Sequence, residues 1–335
     1  MTEEESSTPP KRWVIVLAGG EGTRIRPLIE DWLGAPRPKQ YCSFFGTQSM
    51  LEHTLRRATR LTDVGRILTV IGKDHHRYLA SLGNGALPGT VVEQPRNLET
   101  APGVFLPLSR VMANDPDAVV VVMPSDHHMD PEDRTVEELE QAVELAASFP
   151  ERILLLAAVP DGPETDYGWI EPGAAVAEID SGTAARKVRA FREKPCAERA
   201  EEYFRRGFLW NTMIVVGRAR TLWQLGRRTL PEMTDHFEML RRVTEAVQSG
   251  RASVTHRRSV VEEMYEHLEP ANFSRDLLEK VPDSTLVLPL EDVHWSDWGR
   301  PERISRSLAR IGAEPNFAGV VAGAPATERE LAAAS

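Results

Sequence analysis

Short, mainly apolar runs with little polar alternation recur along the first half of the chain, at 13–18, 66–71, 90–93 and 118–123. Runs of this length rich in Val, Ile and Leu predict strands buried on both faces of a parallel sheet. Between them the period changes. Val136, Leu139, Val143 and Ala146 recur at helical spacing, with Glu132, Asp133, Glu137 and Glu138 toward the start, where acids favour the helix dipole. Strand and helix in alternation predict an α/β protein with a doubly wound, mostly parallel, Rossmann-like sheet. Ligands of such sheets sit beyond the C-terminal ends of the strands.

The pattern shifts after residue 152. A strand is predicted at 153–159, then short segments at 167–171, 175–179 and 187–191, separated by Pro, Gly and Asp-Ser-Gly turns. These predict a small antiparallel lobe. A charged helix at 198–206, a strand at 208–216 and mostly helix over 218–249 follow. The organisation expected is a disordered lead-in at 1–11, a main domain at 12–270, a helix-strand-helix segment at 271–313 packed on it, and a flexible Ala-, Gly- and Pro-rich tail at 314–335.

The first predicted strand runs straight into Leu17, Ala18, Gly19, Gly20, Glu21, Gly22, Thr23 and Arg24, and Lys39 follows in Pro38-Lys39-Gln40. A strand ending in glycines offers backbone N–H groups that can close around phosphate oxygens. Arg24 and Lys39 supply the positive charge a triphosphate needs. No helix is expected to follow at once, and Asp31-Trp32-Leu33-Gly34 reads as a small loop insertion. The stretch has neither the Gly-Lys-Ser/Thr ending of a P-loop nor the G-x-G-x-x-G of dinucleotide binders.

This opening resembles that of the sugar-1-phosphate nucleotidyltransferases, and within them the mannose-1-phosphate guanylyltransferases, whose motif is G-G-x-G-T-R-L-x-P-L with P-K-Q downstream; here Ile25 stands for the Leu. The resemblance continues in order through Pro124-Ser125-Asp126-His127, Tyr167-Gly168-Trp169-Ile170, Phe191-Arg192-Glu193-Lys194-Pro195, Trp210-Asn211 and Trp295-Ser296-Asp297-Trp298-Gly299. It implies the nucleotide-diphospho-sugar transferase fold and a Mg²⁺-dependent reaction in which NTP and a sugar-1-phosphate give NDP-sugar and pyrophosphate. GTP with mannose-1-phosphate is the pair it favours. Glucose-1-phosphate with UTP or dTTP, and a catalytically silent sugar-nucleotide-binding regulatory protein, are the alternatives.

Residue by residue, the resemblance implies Arg24 and Lys39 on the pyrophosphate side and Leu17, Ala18, Gly19, Gly20, Gly22 and Thr23 as the nucleotide cradle. Lys194 would bind the sugar-1-phosphate; Glu193, Tyr167, Gly168, Glu171 and Asn211 would serve the sugar. Asp166 replaces a family glycine before Tyr167, and Met213 replaces another after Asn211. Gln94 and Thr100 fall in the base-reading stretch, with Gln94 in place of the family's acid; an amide can serve a purine or a pyrimidine edge. Asp126 resembles the Mg²⁺ ligand, as a carboxylate at a strand end facing phosphate oxygens should. Asn272 occupies the second ligand position with a neutral carbonyl oxygen, or acts as a helix N-cap. Asp276, one turn on, is expected to face elsewhere, and Asp297 reads as structural. His127 and His128, adjacent on extended chain, point to opposite sides and make no zinc pair. His75 and His76 are expected on an exposed helix start.

A formal charge of −10 argues against non-specific nucleic-acid binding. No apolar run approaches the ~20 residues of a membrane span. Two cysteines, Cys42 and Cys196, indicate no disulfide framework, and the lead-in is acidic and polar, so a cytoplasmic location is expected. The expected partners are small molecules, NTP and sugar-1-phosphate, with no nucleic acid and no membrane; a homodimer is left open.

Overall fold

A computed structural model describes residues 10–80, 82, 87–178 and 184–318. The first nine residues of the expected lead-in, and 319–335 of the expected tail, lie outside them. In chain order the strands are β1 (Arg12–Ala18), β2 (Ile67–Gly72), β3 (Thr90–Gln94), β4 (Val119–Pro124), β5 (His128–Asp130), β6 (Ile153–Ala158), β7 (Gly168–Glu178), β8 (Ala184–Glu193), β9 (Leu209–Arg218), β10 (Thr285–Leu290) and β11 (His294–Ser296). The helices are α1 (Arg26–Leu33), α2 (Met50–Leu61), α3 (His76–Leu79), α4 (Thr100–Asn114), α5 (Glu132–Ser148), α6 (Ala197–Arg205), α7 (Ala219–Thr229), α8 (Pro231–Gln248), α9 (Val254–His267) and α10 (Pro301–Arg310).

Nine strands form one sheet in the order β3-β2-β1-β4-β9-β6-β10-β8-β7. The pairs β1–β2, β1–β4, β2–β3 and β6–β10 are parallel, and β9 lies antiparallel between β4 and β6. The continuous apolar runs have the cause the pattern predicted. Ile15, Val120 and Val122 face one helical layer, with Phe105 of α4, Trp223 of α7 and Phe237 of α8. Val14, Val16 and Val121 face the other, with Leu55 of α2 and Leu139 of α5. Both faces are covered, so these positions are almost all apolar, with Thr69 of β2 a buried exception.

The expected antiparallel hairpin is present, and its strands join the main sheet: β8 pairs with β10, and β7 with β9. The two segments expected at 167–171 and 175–179 are one strand as far as Glu178, because Pro172 is absorbed at shifts of register rather than ending it; Ile179 lies outside the described residues. Residues 271–313 do not pack on a finished domain. They insert β10 into the sheet interior between β6 and β8. The start of the expected tail is anchored: Phe317 is buried against Phe44 and Trp32, and Phe45 bridges Pro315.

A helix does follow the glycine loop directly. A 3₁₀ turn, Thr23–Ile25, leads into α1, so the supposed loop insertion is the helix's last turn. Pro27 in its first turn and Gly34 beyond its end, at φ 70°, bound it, and Leu28 and Ile29 are buried. β5 and β11 form a separate antiparallel pair that brings the tryptophan loop against the strand after Asp126.

Candidate active site

A cavity of about 630 Å³ opens where β1, β3 and β4 end. Leu17, Gly19, Gly20, Gln94, Thr100 and Asp126, all expected from sequence, line it. The glycine loop is braced from behind. Gln40 donates to the carbonyls of Ala18 and Gly20, each at 2.8 Å, and Tyr41 donates to that of Ala18. Gly22 sits at φ 60°, and a Cβ on it would lie 3.0 Å from the Lys39 backbone nitrogen, so only glycine lets these two segments touch. His75 is not exposed. It is 3% exposed, within 3.2 Å of the Ala18 carbonyl and 3.1 Å of Glu21. His76 is exposed, as expected.

Beside the cavity the cations and acids interlock. Lys39, 3% exposed, places Nζ 2.8 Å from Asp126 Oδ2 and donates to the Asp297 carbonyl. The Asp297 carboxylate accepts from Arg24 at 2.7 Å, Tyr167 at 2.8 Å, Arg303 at 2.9 Å and Gly299 N–H at 3.0 Å. Asp297 is therefore structural, as the sequence suggested, and is also part of the charged centre. Burial pushes both carboxyls up, but Lys39 and its cationic neighbours outweigh it and hold Asp126 and Asp297 below the usual carboxylate range. Sequence reasoning gave no role to Gln40 or Arg303. Gln40 lay in the quoted P-K-Q block; Arg303 carried no motif signal.

Asn272 does not join this centre. Its side-chain oxygen accepts from Arg275 N–H at 3.0 Å, and its amide donates to Glu99 at 2.9 Å. It caps the π turn Phe273–Leu277. Asp276 accepts from the Asn272 N–H at 2.7 Å and pairs with Arg275, and it does not line the cavity. Thr100 accepts from Phe273 N–H at 2.8 Å and so ties the cavity wall to the same turn.

On the β7–β8 side, Gly168 pairs with Glu193, and a Cβ on Gly168 would lie 2.8 Å from the Glu193 carboxylate. Lys194 adopts φ 45°, is exposed, and pairs with Glu193 at 2.7 Å. Asn211 is buried and accepts from Met213 N–H at 3.1 Å. Met213 holds φ 59°, so it keeps the left-handed conformation that the family's glycine would adopt freely. Glu171 does not come to this site. Alternation along β7 puts it on the opposite face from Gly168, where Arg206 holds it at 2.8 Å. His127 and His128 do diverge: Trp295 donates to His127, while His128 stacks on Trp298.

Gln94 closes the cavity floor. It donates to the Tyr265 hydroxyl at 3.2 Å, and its Oε1 lies where side chains on Gly19 or Gly103 would intrude. Among the described residues no helix is long and apolar enough to cross a membrane.

The chain is 28% identical over 291 residues to the xanthan biosynthesis protein XanB of Xanthomonas campestris, covering 85% of this chain and 57% of that protein. It is 25% identical to the mannose-1-phosphate guanylyltransferase of Klebsiella pneumoniae, again over 85% and 57%. The chain thus spans little more than half the length of these curated relatives. A solved structure described as mannose-1-phosphate geranyltransferase from Thermus thermophilus superposes with a TM-score of 0.71 at 26% identity, covering 91% of this chain and 80% of that one. The model of the nucleotidyl transferase family matches residues 13–312, and the chain belongs to that family.

Proposed function

We propose that the protein transfers a nucleotidyl group from NTP to a sugar-1-phosphate, with GTP and mannose-1-phosphate as the pair, releasing pyrophosphate. The observation that carries this reading is the position of Lys39, buried between Asp126 and Asp297 beside a glycine-walled cavity. The sugar phosphate is already ionised, so its oxygen attacks the α-phosphorus without a strong base; the bond from that phosphorus to the bridging oxygen breaks. The protein's work is positioning and neutralising charge.

Arg24 and Lys39 are paired with acids before substrate arrives. A triphosphate offers them stronger partners, and their shift toward it frees the Asp126 carboxylate and the one Asp297 oxygen that Arg24 holds, while Tyr167, Arg303 and Gly299 N–H keep the other in place. Those two acids, rather than Asn272, would hold a Mg²⁺, since hard cations take charged oxygens and complete their shell with substrate phosphates. Bound there, the ion would neutralise charge on the reacting and leaving phosphates. Lys194 and Glu193 are assigned to the sugar phosphate and a sugar hydroxyl.

Gln94 supports the rival base choice as well. With its amide given to Tyr265, the remaining oxygen can accept from the N–H edge of guanine or of a pyrimidine. A matrix of four NTPs against mannose- and glucose-1-phosphate, read as pyrophosphate release with and without Mg²⁺, tests the whole reading. GTP with mannose-1-phosphate should be fastest. A tenfold advantage for UTP or dTTP with glucose-1-phosphate would replace the substrate pair, and no release with any combination would remove the activity.

A further inference from the structure

A second cavity, of about 170 Å³, shares no lining residue with the first. Phe45, His53, Arg57, His128 and Trp298 line it, where α2 meets the β5–β11 pair and the tryptophan loop. Phe45 stacks on His53, and His128 on Trp298, making an aromatic box. Inside a box of this kind every polar atom needs a partner. In the lining of this cavity three find none among the described residues: His53 Nε2, His128 Nε2 and Trp298 Nε1 are each buried and unbonded. His128 is 8% exposed and Trp298 1%.

We propose that this cavity is an effector site for a small oxyanion of the phosphate class, acting on the catalytic cleft through Trp298. The indole N–H is a donor only, and Arg57, 4% exposed, donates to the Thr54 hydroxyl. Two imidazoles can add donors. Arg56 and Arg57 face Asp130 and Glu132 around the cavity, but both Glu132 oxygens are engaged by Arg56, which leaves Arg57 without a dedicated acid among the described residues. An indole N–H and a buried guanidinium repel a cation, and the described residues hold no group of three or more His, Cys, Asp or Glu suited to a metal. The volume is too small for a nucleotide, since pockets for drug-sized ligands begin near ~300 Å³.

Trp298 follows Asp297 directly and holds φ 46°. Its neighbour's carboxylate holds Arg24, and its neighbour's carbonyl holds Lys39. A ligand gripping the indole therefore acts on the loop that positions both cations. The binding claim stands apart from the proposed activity; only its kinetic consequence rests on it.

The test is calorimetric titration of the full chain with inorganic phosphate. One saturable site is expected in wild type, weakened at least tenfold in His53→Phe and in Arg57→Met, and retained in Arg24→Ala, which removes a cleft cation. Should Arg57→Met fail to fold by circular dichroism, His53→Phe decides alone. Phosphate should also change the apparent KM for NTP in wild type but not in His53→Phe. Absence of saturable binding to folded wild type means the cavity holds water only and overturns the proposal. So does binding that survives His53→Phe, or that disappears in Arg24→Ala. Binding with no kinetic effect on an active enzyme overturns the coupling through Trp298. If no NTP and sugar phosphate react yet phosphate binds with this variant pattern, the transferase reading fails and the site stands.

Discussion

Lys39 donates to the main-chain carbonyl of Asp297, 258 residues further along the chain, while its ammonium also pairs with Asp126. One buried cation thus joins the end of β4 to the tryptophan loop, and the glycine at position 22 packs directly on it. Removing that charge should disable the centre without dismantling the sheet. Lys39→Met and Arg24→Ala are each expected to lower turnover by roughly 30- to 1000-fold, equivalent to about 2–4 kcal/mol of lost transition-state stabilisation. Pyrophosphate-release rates, with circular dichroism to check the fold, measure this; near-normal rates would dissociate the glycine loop from the triphosphate.

The choice between Asp297 and Asn272 as second metal-binding residue is open to a direct comparison. Asp297→Asn should cut turnover by ~10²–10³ and raise the Mg²⁺ needed for half-maximal rate. Asn272→Asp should leave the Mg²⁺ titration superimposed on wild type, because that side chain is spent on Arg275 and Glu99. A lowered Mg²⁺ requirement in Asn272→Asp would return the ligand role to that position.

Gly168→Ala probes the sugar side. The new methyl would meet the Glu193 carboxylate at 2.8 Å and the Phe191 ring at 3.0 Å. Crowding of this kind costs roughly 1–3 kcal/mol. The expected result is a melting point lower by several degrees, together with a raised KM for sugar-1-phosphate and a smaller change in KM for NTP. An unchanged sugar-phosphate KM would remove Glu193 from that subsite.

A pH effect is expected far from the site. Asp115 accepts from Trp13 at 2.9 Å and pairs with Lys11, at the N-terminal end of β1. Burial pushes its carboxyl up, but those two partners outweigh it and hold it below the usual range. A carboxyl lowered by folding adds stability above its unfolded value, near ~3.9, and loses that contribution as pH falls through its folded value. Denaturant midpoints of wild type and Asp115→Asn should therefore differ at neutral pH, with wild type higher, and converge in acid. A gap that persists unchanged to pH 2 would assign the difference to packing rather than charge.

Much of this protein is legible in its sequence. Unbroken Val and Ile runs require burial on both faces, so a doubly wound sheet follows from local pattern alone. The glycine loop is equally plain, because a strand running into several glycines with a basic pair downstream is a local pattern. Other features depend on pairs distant in sequence. Asp297 reads as structural between Trp295 and Trp298, and only the β5–β11 pairing, which brings its loop against Lys39 and Arg24, makes it part of the charged centre. Glu171 directly follows the Tyr167-Gly168-Trp169-Ile170 block and is expected at the sugar, yet strand alternation turns it to the opposite face from Gly168. Asn272 matches a metal position, but its oxygen is already taken by a local N–H. His75 reads as exposed because the 3₁₀ turn Lys73–His75 and the four-residue helix after it carry too little pattern to show which side is covered. Local periodicity determines which residues must be buried, since burial is a property of each side chain and its near neighbours. Which charges meet is decided by strand order and register, where a shift of one residue reverses the face of every side chain.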